Sequence, residues 1–477
     1  MSSCPVNFHG MSHAKGCRHL GLGKFSKFFP NLSALPVTEA EAAALGGVGG
    51  IMHDQDDSSA DSSIPAGYTF FAQFVDHDIT LDTSTDLHGD PLANEKINKL
   101  PNLRSPSLDL DCVYGFGPEA SPFLYDPDAP GRLLTGNSTN PDDLPRNEVG
   151  RALIGDPRND ENLFVSQLQL LFLRFHNRVV DSMVADVPAE ERFEEAQKVV
   201  RYHYQYIILN DFLKRVCDPK IYQFALHQLK NGNYPFLYEA DKCHGLPMPV
   251  EFSVAAYRFG HTMVRSHYAA NGGYPSIELF DEEFGTEGFS AIPVKLTVDW
   301  RFLFEVDPCV PPLQSKAIDH LLADELIRLP VPVVGEASEN DKSLAFRNLL
   351  RGHVLSLPSG QDVAGALKAA GYNDIGANFD LEFDSIDGWT DLEAGVRENL
   401  EEHTPLFFYL MREGGVKGGT QLGRVGSAIL LEVFIGLLTN CKSSYLKEDP
   451  NWTPDECIAS NGAENFELAD IVHYVGG

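Results

Sequence analysis

From Asn162 to Asp186 leucine and phenylalanine recur at three- and four-residue spacing, and no other stretch constrains the fold as strongly. Apolar residues at i, i+3, i+4 and i+7 share one face only on a helix, so this run predicts a long amphipathic helix in need of an apolar partner. The period returns along the chain. Glu190 to Val216 opens acidic and continues as a second long helix, and further helical segments fall near 250–267, 312–328, 341–356, 361–371, 390–413 and 425–439. Strand signals are short and few, and residues 85–150, dense in Pro, Asn and Asp, read as loops. No unit of 20–50 residues repeats, which argues against a solenoid or propeller. The pattern predicts a mainly α chain with few short strands. A single large helical domain spans 64–477, preceded over 1–63 by an N-terminal arm and an acidic linker, with Asp54 to Ser63 solvated.

Charge narrows the partners. Lys and Arg total 37 against 68 Asp and Glu, a formal net charge of −31. Such a surface repels phosphate backbones and anionic lipid heads, so neither nucleic acid nor a membrane surface is expected as a partner. The most apolar late stretch, Val425 to Leu438, contains Glu432 and is too short to span a bilayer. The opening Met-Ser-Ser-Cys-Pro-Val-Asn has no basic end followed by an apolar core. No secretory leader is therefore read, and the cytoplasm is the default compartment. Eight scattered cysteines suggest reduced thiols rather than a disulfide framework.

Four local patterns carry chemistry. In Gln73-Phe74-Val75-Asp76-His77-Asp78 a helix would put Gln73 and His77 on one face and turn Asp76 and Asp78 about 100° to either side. The same residues equally suit an acidic surface turn. Ser105-x-Ser107-x-Asp109-x-Asp111 alternates oxygen-bearing side chains, as a loop wrapping a hard cation does, or as a solvated polar loop does. Gly155-Asp156-Pro157-Arg158-Asn159-Asp160-Glu161 starts a helix, with Arg158 and Glu161 three apart and able to face one ligand, or simply each other. In Tyr257-Arg258-Phe259-Gly260-His261 a glycine sits inside a helix at a cost of about 1 kcal/mol, which suggests that something flat or bulky approaches the backbone beside His261.

Other signals are weaker. Cys4, His9, His13, Cys17 and His19 lack the paired spacing of a zinc site and read as a non-metal arm. The glycines at 46–50 do not follow a strand and open a helix, as a dinucleotide site requires.

Taken in order, FFAQFVDHDIT, SPSLDLDCVYG, ALIGDPRNDENLFVSQLQLLFLRFHNRVVD, YRFGHT and FRNLLRGHVLSLPSGQ resemble the animal-type haem peroxidase superfamily, in particular its bacterial branch. The resemblance spans about residues 65–365 and implies haem b and Ca²⁺. It makes His77 the distal histidine, which moves a proton between the two peroxide oxygens. Arg158 becomes the distal arginine that stabilises charge as the O–O bond breaks. His261 becomes the haem-iron ligand, and Asn348 the partner of its other ring nitrogen. Gln73 falls on a distal position associated with halides. Asp76 and Glu161 fall where esters to the haem form, and Arg258 and Arg351 where arginines meet propionates. Asp78, Ser105, Ser107, Asp109 and Asp111 fall on the calcium positions, Ser107 through its backbone carbonyl. His176 falls on a structural position.

Two departures shape the expected activity. Asn162 stands where a methionine links to haem in myeloperoxidase, which weighs against chloride oxidation. Arg258 stands where the oxygenase branches carry a radical-forming tyrosine, and the neighbouring Tyr257 would face elsewhere on an α-helix. The resemblance therefore implies a peroxidase that reduces hydrogen peroxide and oxidises halides, pseudohalides or small phenols. A fatty-acid dioxygenase and a non-catalytic haem-bearing interaction protein are the alternatives.

Overall fold

The computed structural model describes residues 23–240, 245–373 and 380–476. The architecture is mainly α, built on α1 (Glu39–Gly46), α2 (Gly67–Ile79), α3 (Leu163–Ser182), α4 (Arg192–Ile207), α5 (Leu344–Val354), α6 (Leu406–Val416) and α7 (Arg424–Asn440), with short connecting helices and strands. Among the described residues no helix is long and apolar enough to cross a membrane. The Cys4, His9, His13, Cys17 and His19 tract lies outside the described residues.

The long apolar run folds as α3, and Asn162 starts it by accepting from the backbone N–H groups of Phe164 and Val165 at 3.1 and 3.0 Å. A cap of this kind is worth about 1 kcal/mol. The apolar stripe of α3 meets α2 through stacked rings, Phe172 on Phe74 and Phe164 on Phe70, with centroids 4.8 and 4.7 Å apart. Tyr204 of α4 closes the other side, edge-on to Phe74 and Phe172. At the start of α2 the ring of Phe304 lies within 2.4 Å of where a Cβ on Gly67 would sit, so only glycine fits there. This packing fixes the helix that carries the Asp-His-Asp sequence.

Three expected helices come out differently. Within 312–328 only Asp324–Ile327 is helical; Gln314–Lys316 pairs antiparallel with Asp61–Pro65, and Leu322–Ala323 pairs parallel with His53–Asp54. Distant strand partners, absent from any local window, take up that backbone. The 390–413 segment breaks into Ala394–Glu402 and α6, because Pro405 has no N–H and disfavours a helical residue before it. The 250–267 segment is wound unevenly, wide (i→i+5) over Glu251–Ala255 and tight (i→i+3) over Ala256–His261, and is extended by His267–Tyr268.

The acidic stretch Asp54 to Ser63 is solvated along most of its length but is tied to the rest of the fold at both ends. Asp54 is 5% exposed and accepts from the backbone N–H groups of Ser58 and Ser59, and Asp61–Pro65 is a paired strand. From Gly23 onward the arm also packs into the common core. Gly23–Ser26 lies between Pro101–Asn102 and Pro247–Pro249 in a small mixed sheet, and α1 packs against α5. Glu251 locks this arrangement: its buried carboxylate accepts from Phe28 and Phe29 N–H at 2.9 and 3.2 Å. Replacing Glu251 with Leu would orphan both buried donors at about 1–3 kcal/mol each. We expect a loss of about 3 kcal/mol in denaturant-induced unfolding of Glu251→Leu, and an unchanged midpoint would show that the two bonds contribute nothing.

Candidate functional site

One cavity of about 390 Å³ gathers the motifs. Its wall includes Gln73, Asp76 and His77 from α2, Arg158 and Glu161 from the turn before α3, Arg258, Gly260 and His261 from the tight helical turn, and Asn348 and Arg351 from α5. Every haem-side position implied by sequence resemblance therefore shares one wall. Gly260 leaves room there, since an added Cβ would have only Ala72 within 4 Å.

On the α2 side, the His77 ring is held at Nδ1. Nδ1 lies 2.7 Å from the side-chain oxygen of Asn159, and Nε2 lies 3.5 Å from a Glu161 oxygen. Burial, aided by the nearby Arg158 charge, pushes the imidazole down to about 4, so it is neutral at ordinary pH. Glu161 accepts from the Gln73 amide, whose oxygen accepts in turn from Asn162 Nδ2 at 3.2 Å. Burial raises the Glu161 carboxyl to about 7.

Arg158 is clamped. Its Nη2 donates to the carbonyls of His77 and Thr80 at 3.1 and 2.7 Å and to Asp156 at 2.8 Å. Asp156 also caps the turn by accepting from Arg158 N–H, as its place before Pro157 suggested. Burial works to raise the Asp156 carboxyl, but the Arg158 and Arg104 guanidiniums override it and hold it at about 2.

On the other side, Asn348 Nδ2 sits 3.0 Å from His261 Nδ1. Burial and Arg258 push His261 down to about 3. The arginines expected at propionates are paired within the protein. Arg258 donates to Asp76 at 2.9 Å and to the Ser253 carbonyl at 2.7 Å, and Arg351 donates to Asp82 at 2.7 Å. Burial works to raise Asp76, yet Arg258, His77 and Arg158 hold its carboxyl below the ordinary value.

Several cavity features escaped sequence reasoning. Arg347 lines the wall, a role its place beside Asn348 could have flagged. Tyr257, expected to face elsewhere, also lines the cavity, and its buried hydroxyl has no hydrogen-bond partner among the described residues. The turn that carries it winds at about three residues per turn rather than 3.6.

The calcium positions form a second, adjoining cluster. Asp78 is fully buried; its Oδ2 accepts from Leu110 N–H and the Tyr204 hydroxyl at 3.3 and 3.1 Å, while its Oδ1 has no partner among the described residues. Ser105 donates from its backbone to Asp111 and from its hydroxyl to Ser107 and Asp109. Leu108 and Leu110 both hold positive φ, at 50° and 61°, an uncommon state for such side chains. Burial, and then the Asp109 charge, raise Asp78 to about 7, and burial raises Asp111 despite Arg104. Among the described residues, however, no three His, Cys, Asp or Glu side chains are arranged to hold a metal ion.

Comparison with known proteins follows the same lines. The animal haem peroxidase family profile matches residues 88–284, which include Arg158, Glu161, His261 and the 105–111 loop but not His77 or Asn348. A peroxidase-like protein of Margaritifera margaritifera is 32% identical over 36% of this chain and 23% of its own length. Chorion peroxidase of Drosophila melanogaster is 33% identical over 33% of this chain and 21% of its own. The chain thus spans less than a quarter of either relative. Among solved structures, peroxidase A from Dictyostelium discoideum aligns over 96% of this chain and 92% of that one, with a TM-score of 0.59 at 15% identity. A fatty acid alpha-dioxygenase of Oryza sativa aligns over 86% and 73%, with a TM-score of 0.53 at 16% identity. These two likenesses establish a shared fold.

A carboxyl titrating near 7 is protonated a unit below and ionised a unit above. Infrared spectra should therefore show a protonated-acid carbonyl band that fades through neutrality, and Glu161→Gln should remove its share of that band. A band unaltered by the substitution would place the Glu161 proton elsewhere.

Proposed function

From the match of residues 88–284 to the animal haem peroxidase family profile we propose that the chain is a haem-dependent peroxidase, reducing hydrogen peroxide and oxidising halide or pseudohalide ions or small phenols. The convergence of His77, Arg158 and the His261–Asn348 pair on one cavity is the observation that carries this reading. The residues present fit haem b. Gly260 leaves its stretch of wall free of a side chain beside a neutral imidazole, and Arg258, Arg347 and Arg351 supply cations suited to propionates. When bound, haem supplies the electrons that peroxide takes up and passes the oxidising power on to the donor.

The protein's own residues then divide the work. Asn348 Nδ2 faces His261 Nδ1, and with the amide turned over its oxygen would accept from Nδ1–H and leave Nε2 free to hold the haem iron. His77, neutral in its buried setting, takes a proton from one peroxide oxygen and returns it to the departing one. Arg158, its guanidinium already fixed by Asp156 and two carbonyls, stabilises the charge that grows on that oxygen. Gln73 offers an amide beside His77, where a halide would sit. Asp76 and Glu161 are the carboxyls available for ester links, and an ester at Asp76 would release Arg258 to a propionate. Arg158→Leu should slow peroxide cleavage by about 10²–10³-fold in stopped-flow spectra while haem uptake persists. Unchanged turnover would remove Arg158 from this role.

Asp78, Ser105, Ser107 through its carbonyl, Asp109 and Asp111 would hold Ca²⁺. The unpartnered, buried Asp78 oxygen and the two left-handed leucines flanking Asp109 support that assignment. The sign of its pH dependence follows from Asp78. A folded-state value near 7 means the metal-free folded protein binds the proton more tightly than the unfolded chain between about 4 and 7, so this group's contribution to stability is lost as pH rises through that window. Ca²⁺ takes the ionised form, so its addition should raise Tm more at pH 8 than at pH 5. Equal shifts at both pH values, or none, would overturn the calcium assignment.

A second reading, a peroxide-primed fatty-acid dioxygenase, is favoured by one observation, the unpartnered Tyr257 hydroxyl in the cavity wall. Oxygen uptake with a long-chain fatty acid that disappears in Tyr257→Phe would establish it in place of halide or phenol oxidation.

A further inference from the structure

Behind His77 runs a chain of amides whose polarity is set at its far end. The Cys112 backbone carbonyl can only accept, and Gln169 Nε2 donates to it at 3.3 Å. The oxygen of Gln169 therefore faces the other way and accepts from Asn159 Nδ2 at 2.7 Å. That contact turns the Asn159 oxygen toward the imidazole, 2.7 Å from His77 Nδ1. Reversing either amide would set two oxygens, or two N–H groups, against each other in a place without water, since Asn159 and Gln169 are both fully buried. An orphaned buried polar group is costly, which favours the one orientation that satisfies both amides.

We infer that Asn159 and Gln169 are positioning residues that lock the His77 proton on Nδ1 and leave Nε2 as the bare, proton-accepting nitrogen facing the cavity. The inference rests on the peroxidase reading only for its consequence; the tautomer itself follows from the hydrogen bonds. Gln169 never reaches the cavity wall, yet it decides which His77 nitrogen can take a proton. If Gln169 loses its polar end, Asn159 is free to rotate and present its NH₂ to Nδ1. The ring proton then moves to Nε2, and the base is lost without any change in the ring's position. The chain also starts next to Asp111, in the Asp111–Tyr114 turn, so it ties the 105–111 loop to His77 by a route separate from Asp78.

The full chain labelled with ¹⁵N-histidine reports the tautomer directly, as isolated or, with haem bound, as the diamagnetic ferrous carbonyl form. His77→Gln identifies the signal. We expect a protonated Nδ1 and a bare Nε2 in the parent protein, and an Nε2-protonated population in the near-isosteric Gln169→Met. Peroxide cleavage in Gln169→Met should slow at least about tenfold at unchanged haem content, within the range that a general base contributes. Adding Asn159→Asp to Gln169→Met should restore the Nδ1 proton, because a carboxylate can only accept and has no wrong orientation.

A parent His77 protonated at Nε2, a tautomer indifferent to Gln169→Met, or a double variant that stays Nε2-protonated would each overturn the inference. Should Gln169→Met fail to fold, Gln169→Glu serves. Its protonated carboxyl can donate to Cys112 and accept from Asn159, so it must keep the parent tautomer. An inert protein whose His77 still carries its proton on Nδ1 would sink the peroxidase reading and leave this one standing.

Discussion

A guanidinium can be drawn under a protein surface only where acceptors already wait for it, and Asp156 supplies them for two arginines at once. It holds Arg158 through Nε and Nη2, and its Oδ2 lies 2.8 Å from Arg104 Nε. Arg104 runs on to Asp111 and to the Gly155 carbonyl, while Arg158 runs on to the carbonyls that end α2. One carboxylate thus ties the 105–111 loop, the turn before α3 and the helix bearing His77 into a single unit. Breaking a buried pair by removing one partner costs about 3–5 kcal/mol, more than any single cap or stacked ring contributes. The cavity is therefore organised from its charges outward, with the apolar packing of α2 against α3 holding the backbone in place behind them.

The buried carboxyls divide into two states for a physical reason. Asp76 and Asp156 lie against guanidiniums and stay ionised. Glu161 meets an amide and a neutral imidazole, and Asp78 meets a phenol, a backbone N–H and other acids, so burial raises both toward neutrality. A carboxyl that is neutral near pH 7 costs little to bury and is available to give up its proton to a cation or a new bond. The two candidate ester positions are accordingly unlike: Asp76 is held as an anion by Arg258, and Glu161 is a weak acid 3.5 Å from the His77 nitrogen.

How much of this was legible in the sequence depended on separation along the chain. Gln73 with His77, and Arg158 with Glu161, lie within one turn of each other, so local spacing put each pair on one face while leaving a surface turn or a local ion pair open. The Leu-Phe period of α3 likewise fixed its buried face. Partners far apart in sequence left no local mark: Asn159 finds His77 across 82 positions, and Glu251 finds Phe28 across 223. The strands misread as helix at 312–328 take their geometry from residues 53–65. The break at Pro405 was written in the sequence and outweighed by the flanking apolar period. The uneven winding before His261 has no signature in residue type.

The net charge of −31 bears on the donor less than its size suggests. At physiological salt the Debye length is about 8 Å, and two unit charges that far apart in water interact by only about 0.5 kcal/mol before screening. Carboxylates spread over the surface would therefore alter the arrival of a small anion modestly, and of a neutral molecule not at all. Inside the wall the balance is local. Arg158, Arg258 and Arg351 are each matched by an aspartate, whereas the hydrogen bond from Arg347 goes to the Asp341 carbonyl. A cation whose bond goes to a neutral carbonyl keeps more of its field than one paired with a carboxylate. Of the four arginines Arg158, Arg258, Arg347 and Arg351 in that wall, Arg347 is therefore the one whose field is least cancelled by a carboxylate.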